Sequence, residues 1–106
     1  MKTTTTTLLI VASLACAAGI ASAADAAENW TKLCASCHAK DGSGSTVMGK
    51  KKKVKDYRDA AVQAKFTDAE ATKTITEGKE DMKPFKDKLK ADEITSLVGY
   101  IRTLKK

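Results

Sequence analysis

The residues best suited to chemistry lie in one pentapeptide, Cys34-Ala35-Ser36-Cys37-His38. Its two thiols are one helical turn apart and lie on the same side of the backbone, so both can add to the vinyl groups along one edge of a porphyrin. Cys-x-x-Cys-His is the attachment sequence of c-type haem. His38 is the only histidine of the chain, and therefore the only imidazole available as proximal ligand of the iron. The motif predicts one covalently bound haem c.

Three other uses of this pentapeptide fit the chain less well. A structural zinc site usually takes four Cys or His ligands, and only these three remain when the N-terminal segment with Cys16 is set aside. A thioredoxin-like dithiol would be expected beside a strand-helix-strand pattern, which the sequence lacks. A structural disulfide is the third alternative. The N-terminal segment indicates export, which places the motif where c-type haem is assembled.

The sixth ligand of the iron decides between an electron carrier and a catalyst, because an open iron can bind gases or peroxide. Two methionines lie downstream of the motif, Met48 and Met82. Met82 precedes the only proline, Pro84, in a loop that follows a helix and Gly78, and such a rigid loop can hold a thioether on a metal. Met48 lies in a segment rich in Gly, Ser and Lys. Either side chain could instead fill a gap in the core, but we expect Met82 to be the ligand, since Met and His are a standard haem ligand pair.

Helical periodicity without strand-like alternation predicts an all-α fold. The first helix is expected at about 26–37. The second follows the capping box Thr67-Asp68-Ala69-Glu70 and ends near Gly78. A weaker helix precedes it at about 56–64. These elements must place the pentapeptide and the methionine loop on either side of one haem.

The last helix has the clearest pattern, because an apolar stripe follows one of its faces. That stripe consists of Ile94, Leu97, Val98, Ile101 and Leu104. Acidic residues occupy its first turn and basic residues its last, as the helix dipole favours. Gly99 lies inside it, at a cost of about 1 kcal/mol relative to a better helix former, and close approach of another helix would explain a glycine there.

The first residues have the pattern of an export signal. A lysine precedes an apolar stretch from Leu8 to Ile20, and Ala21-Ser22-Ala23 places small residues where a signal peptidase cuts. The apolar stretch is shorter than the roughly 20 residues that span a bilayer. We therefore expect a signal peptide at 1–23, one domain at 24–106 and a location in the periplasm. A transmembrane anchor and lipoprotein acylation at Cys16 are the alternatives.

The charge of the chain bears on its partners. Without the signal segment, 18 Lys and Arg stand against 13 Asp and Glu, a formal charge of +5. Lysines cluster at 50–53 with Lys55, and they also flank Met82. The flanking set is Lys79, Lys83, Lys86, Lys88 and Lys90. Such lysines either dock on acidic patches of redox partners or simply solvate the surface. Nucleic-acid binding is not expected, because the few aromatic residues are not interleaved with the lysines.

Together these features resemble a bacterial class I cytochrome c, with haem attachment near the start of the mature chain and a methionine loop near its end. The resemblance covers nearly all of residues 26–104. In that family an aromatic residue four positions before the first Cys packs where the first and last helices cross, and Trp30 has that position here. The family's run of Gly, ligand Met, Pro-Phe, Leu and a final helix ending in Tyr-Ile-Arg-x-Leu is similar to residues 75–104.

The resemblance implies a cytochrome c fold of three to four helices wrapped around one haem. It also implies covalent attachment through Cys34 and Cys37, and iron ligation by His38 and Met82. The sequence departs from many relatives at Lys83, which separates the ligand methionine from the proline that usually follows it directly.

With both axial positions filled by protein, the iron has no vacant site for a substrate. We therefore expect a soluble, monomeric periplasmic electron carrier, and not an enzyme, whose iron cycles between Fe(III) and Fe(II). Its partners are redox donors and acceptors, and no stable membrane insertion is expected after signal removal. A cytochrome subunit of a larger oxidoreductase complex is the main alternative. A gas-binding haem protein is a further one, if Met82 does not ligate.

Overall fold

The computed structural model describes residues 23–106, and this part of the chain is helical with no β-strand. Its helices are α1 (Ala23–Asn29), a π-helical segment (Trp30–Cys34), α2 (Ala35–His38), α3 (Val47–Lys52), α4 (Ala60–Gln63), α5 (Asp68–Glu77) and α6 (Ala91–Thr103). The only strand-like pairing in this range is an isolated bridge between Lys79 and Met82. The predicted all-α class is confirmed. The signal peptide expected at 1–23 and the alternative at Cys16 lie almost wholly outside the described residues.

The first predicted helix, 26–37, is a continuous helical run from Ala23 to His38 with a change of pitch inside it. Over Trp30–Cys34 the backbone winds as a π-helix, and its C-cap Ala35 donates its N–H to the carbonyl of Trp30. Such wider turns are rare and frequently occur at functional sites. Here the wider turn ends within the Cys-x-x-Cys-His pentapeptide, so it sets how the two thiols emerge from the helix.

Helix α3 was not predicted, because the sequence there suggested only a loop followed by lysines. It begins after Thr46, whose hydroxyl accepts the N–H of Gly49 at 2.8 Å. It ends at Lys52, and the C-cap Lys53 takes a left-handed backbone conformation (φ 55°). A helix of six residues with a central glycine has too little apolar periodicity to be recognised, and Thr46 as an N-cap was the one signal available.

Helices α4 and α5 follow the expected order, with α4 shorter than the predicted 56–64. Asp56 folds an Asx turn by accepting the N–H of Arg58 at 3.0 Å, so the helix starts only after its N-cap Asp59. The capping box of α5 is confirmed: Glu70 N–H donates to Thr67 Oγ1 at 3.1 Å and Thr67 N–H donates to Glu70 Oε1 at 3.0 Å.

Helix α6 forms the centre of the core, as its apolar stripe predicted. Four stripe residues are buried, whereas Leu104 is only half-buried just beyond the helix end. They pack with Trp30, Ile75 and Leu89. The close approach expected at Gly99 is wrong, since this glycine is exposed and a Cβ there would meet nothing within 4 Å.

Contacts between α1 and α6 and between α5 and α6 hold the fold together. Asn29 Nδ2 donates to Glu93 Oε2 at 3.3 Å, which joins the N-terminal run to the start of α6. Glu93 Oε1 also accepts the N–H of Lys90 at 2.9 Å, so a carboxylate satisfies one free amide at a helix start whose N-cap side chain has no acceptor. Within residues 23–106, no helix is both long and apolar enough to cross a membrane.

Candidate haem site

The two cysteines of the pentapeptide flank the start of α2. Cys34 closes the π-helical segment and Cys37 lies one turn later. Both are half-buried free thiols. Burial raises the pKa of Cys34 to about 11, so this thiol is protonated at neutral pH. The Cys34 thiol therefore faces a partly apolar environment, which suits attachment to an apolar macrocycle.

His38 ends α2 with its ring between two aromatic side chains. Its centroid lies 5.6 Å from that of Trp30 and 5.5 Å from that of Tyr57, with Tyr57 nearly parallel to it at 28°. Burial lowers the pKa of His38, which favours the neutral imidazole that binds metals. Its Nδ1 is buried without a hydrogen-bond partner among the described residues.

That partnerless nitrogen is the observation that tests whether a haem fits here. Leaving a buried polar group unsatisfied costs about 1–3 kcal/mol, and such groups in proteins often mark a ligand site or a catalytic role. A neutral histidine directly after two thiols has the donor chemistry of a haem c site. No group of three or more His, Cys, Asp and Glu side chains within residues 23–106 could hold a metal ion by itself. The donor set fits haem c.

Met82 lies in the loop between α5 and α6, and backbone contacts fix that loop. Lys79 N–H donates to Met82 O at 3.0 Å, and Met82 N–H donates to Lys79 O at 2.9 Å. Phe85 N–H donates to Ile75 O at 2.9 Å, which fastens the loop to α5. Gly78 has a φ of 76°, and a Cβ there would lie 2.6 Å from Met82 O. The rigid loop expected from Pro84 is therefore also held by a glycine that no other residue can replace without strain.

The two candidate methionines differ in their surroundings. Met82 is half-buried and packs against the core. Met48 is 41% exposed in the first turn of α3. Other partly buried side chains pack on the same core as Met82. They include Leu33, Cys34, Tyr57, Phe66 and Phe85. This placement is consistent with Met82 as the ligand, which stays a prediction.

Helix α3 packs its backbone directly against α2, a contact that sequence reasoning missed. Thr46 Oγ1 donates to the carbonyls of Ser36 at 2.8 Å and Cys37 at 3.2 Å. Gly49 is buried, and a Cβ on it would collide with the carbonyl oxygens of Cys37 and Gly44. The unpredicted helix therefore supports the pentapeptide from one side.

A second missed contact holds Tyr57 in place beside His38. The buried Gln63 donates from Nε2 to the carbonyls of Tyr57 at 2.8 Å and Ile101 at 2.9 Å. Arg102 of α6 donates from Nη1 to Gln63 Oε1 at 2.8 Å. A buried polar side chain at the end of a four-residue helix has no recognisable pattern in sequence, so only the structure reveals this link from α6 to the aromatic ring that stacks on His38.

Comparisons with known proteins identify the family of the chain. The family model described as cytochrome c oxidase, cbb3-type, subunit III matches residues 21–101. The solved structure of the KustC0563 c-type cytochrome has a TM-score of 0.72 and 34% identity, and the match covers 76% of this chain and 98% of that one. A point mutant of that cytochrome, also solved, gives a TM-score of 0.70 at 34% identity, covering 76% and 99%. No curated protein sequence matches the chain.

The matched residues include the pentapeptide, its supporting helices and most of α6. The two solved structures have the same helical fold, and the match covers nearly the whole length of each. The chain therefore belongs to the c-type cytochromes, in the family of the cbb3-type subunit III domain, and it carries covalently bound haem c for electron transfer.

Proposed function

We propose that this chain is a soluble electron carrier of the periplasm, in which Cys34 and Cys37 hold the haem and His38 and Met82 ligate its iron. The observation that carries the proposal is a half-buried His38 whose Nδ1 has no partner among the described residues, together with a Met82 that its loop holds against the core. The bound haem supplies a site that stores one electron. The protein's own residues fix the axial ligands and exclude water.

Filling both axial positions favours a carrier over a catalyst. If His38 and Met82 both held the iron, no coordination position would be open to a substrate. A thioether ligand and an apolar surround both stabilise Fe(II) relative to Fe(III), which raises the reduction potential. The lining of Tyr57, Phe66 and Phe85 supplies that surround.

Partner binding is proposed to use what we term the α3 surface: Val47, Met48, Lys50, Lys51, Lys52, Lys53 and Lys55. Every one of these residues is exposed, Val47 to 84%. The surface adjoins α2, because Thr46 contacts the carbonyls of Ser36 and Cys37. It also reaches the methionine loop, where Lys52 Nζ lies 3.9 Å from Asp81 Oδ2. A positive rim around a small apolar centre suits an acidic redox partner.

A second candidate is a cytochrome subunit docked permanently in a larger oxidoreductase complex. Val47 and Met48 favour it, because they are the exposed large hydrophobic residues in the described chain and lie beside the haem attachment segment. The family model that matches is named after an oxidase subunit. Co-purification of a stoichiometric partner with the protein from its native membrane or periplasm would support this candidate over a diffusing carrier.

The experiment that tests the proposal compares Met82→Ala with Met48→Ala in the purified holoprotein. Met82→Ala should lose the weak far-red band of Met-ligated ferric iron and should bind carbon monoxide when reduced, because it opens one axial position. Met48→Ala removes a side chain of the same kind from α3. It should keep the far-red band and should not bind carbon monoxide when reduced. Carbon monoxide binding by Met48→Ala and not by Met82→Ala would assign the ligand to α3 and refute the proposed ligand set.

A further inference from the structure

The backbone immediately after His38 takes a conformation that its residue type disfavours. Ala39 has φ 65° and ψ 156°, a region occupied almost only by glycine. The residue is 7% exposed, so the turn is enclosed by the fold. Such a conformation persists only where surrounding contacts hold it. The contacts that hold this turn therefore also affect the expected iron ligand beside it.

The indole of Trp30 supplies the side-chain contact to this turn. Its Nε1–H donates to the carbonyls of both Ala39 and Lys40, each at 3.1 Å. Trp30 is 1% exposed and its ring lies 5.8 Å from that of Tyr100 in α6. The donor is therefore fixed by the core, and one side chain connects the crossing of the first and last helices to the segment that follows His38.

The same indole also contacts the imidazole itself. The Trp30 and His38 ring centroids are 5.6 Å apart with planes inclined at 37°. His38 has no hydrogen bond from Nδ1 within the described residues that would set its rotation. Its ring orientation thus depends on the aromatic rings on either side and on the backbone turn from which it projects.

We propose that Trp30 is a positioning residue for His38. Its N–H holds the strained turn at Ala39, and its ring limits the rotation of the imidazole. This inference rests on the proposed ligation of iron by His38. A Trp30 that only filled the core would also need a partner for its buried N–H, so the two roles differ in whether loss of the donor changes the orientation of the His38 ring.

The test uses Trp30→Phe, which keeps an aromatic ring and removes the donor. In the ferric holoprotein, the hyperfine-shifted haem methyl signals in the proton NMR spectrum depend on the orientation of the axial imidazole. We expect these signals to shift in Trp30→Phe. Tyr100→Phe also removes one polar atom from an aromatic residue of the same core and should leave them in place.

Backbone exchange gives a readout that does not depend on the iron. Gly42 N–H donates to Ala39 O at 3.1 Å and Gly44 N–H donates to His38 O at 2.8 Å. Both amides should exchange with solvent several-fold faster in Trp30→Phe than in the wild type, because the turn that holds their acceptors is released. Tyr100→Phe should show no such local change.

A second substitution tests the positioning role even if Trp30→Phe gives a low yield of holoprotein. Glycine adopts the Ala39 conformation without strain, so Trp30→Phe combined with Ala39→Gly should recover holoprotein yield and move the methyl signals back toward the wild-type pattern. Methyl signals and exchange rates unchanged in Trp30→Phe, or no recovery from Ala39→Gly, would overturn the positioning role. A wild-type spectrum without low-spin histidine-ligated iron would instead refute the ligation on which it rests.

Discussion

At the scale of single residues, the site depends on side chains that few other residue types could replace. The thiols of Cys34 and Cys37 emerge where a π-helical turn meets α2, and His38 ends that helix. The pentapeptide was readable from the sequence because its chemistry depends on residue types at fixed spacing. The surroundings of His38 were not, because Tyr57 and the α3 backbone come from distant parts of the chain.

Replacing either thiol should weaken haem attachment in a graded way. Cys34→Ser and Cys37→Ser should each leave one thioether and a reduced yield of holoprotein, while the double variant should carry no covalent haem. Mass spectrometry of the denatured protein measures this directly as the presence or absence of one haem mass.

The matched control for these variants is Ser36→Ala, an exposed position between the two cysteines. Its hydroxyl is outside the proposed attachment chemistry, so full covalent haem is expected. Undiminished haem mass in the Cys34→Ser, Cys37→Ser double variant would contradict attachment through these residues.

At the scale of secondary-structure elements, two glycines in helices illustrate opposite constraints. Gly99 in α6 is exposed with open space around its Cα, whereas Gly49 in α3 is pressed against the carbonyls of Cys37 and Gly44. Helix propensity alone favours alanine at both positions by about 1 kcal/mol. Packing reverses that preference only at Gly49.

We therefore expect Gly99→Ala to increase the free energy of unfolding of the holoprotein by about 0.5–1 kcal/mol. Gly49→Ala should decrease it by more than about 1 kcal/mol, because a side chain forced into a packed site costs about 1–3 kcal/mol. Denaturant unfolding followed by far-UV circular dichroism measures both. Equal effects of the same sign would show that α3 does not pack on α2 as described.

The helices differ in how well the sequence predicts them, because only some of them carry a recognisable pattern of residues. Helix α6 has a long apolar stripe and α5 has a capping box, and both were predicted; the predicted bounds of α5 are close to those observed. Helix α3 has neither, and its existence depends on tertiary contact with α2. The interior of the first helix was predicted as regular, since no sequence pattern distinguishes a π-helical turn from an α-helical one.

At the scale of the whole molecule, positive charge is concentrated unevenly. Between 79 and 90 the lysines alternate with acidic residues, namely Glu80, Asp81 and Asp87. The α3 surface has lysines without intervening carboxylates. Electrostatic attraction of an acidic partner should therefore depend more on the α3 surface than on the methionine loop.

Neutralising two lysines of the α3 surface should slow electron transfer to an acidic redox protein. At low ionic strength we expect Lys50→Gln combined with Lys51→Gln to reduce the bimolecular rate constant several-fold, measured by stopped-flow absorbance. The difference should shrink near 0.1 M salt and above, where the Debye length is about 10 Å or less.

The matched control is Lys105→Gln combined with Lys106→Gln, which makes the same change in net charge at the C-terminus. Both of these lysines are exposed and follow α6. A smaller loss of rate is expected from this pair. An equal loss from both pairs would indicate that net charge, and not docking at the α3 surface, governs association.

The most direct test of the central claim is the visible absorption spectrum of the purified protein, oxidised and reduced, with and without carbon monoxide. Ligation by His38 and Met82 predicts a low-spin haem c spectrum in both states, reversible one-electron reduction and no response to carbon monoxide. A high-spin spectrum with carbon monoxide binding in the wild-type protein would contradict the carrier and indicate an open iron suited to catalysis or gas binding.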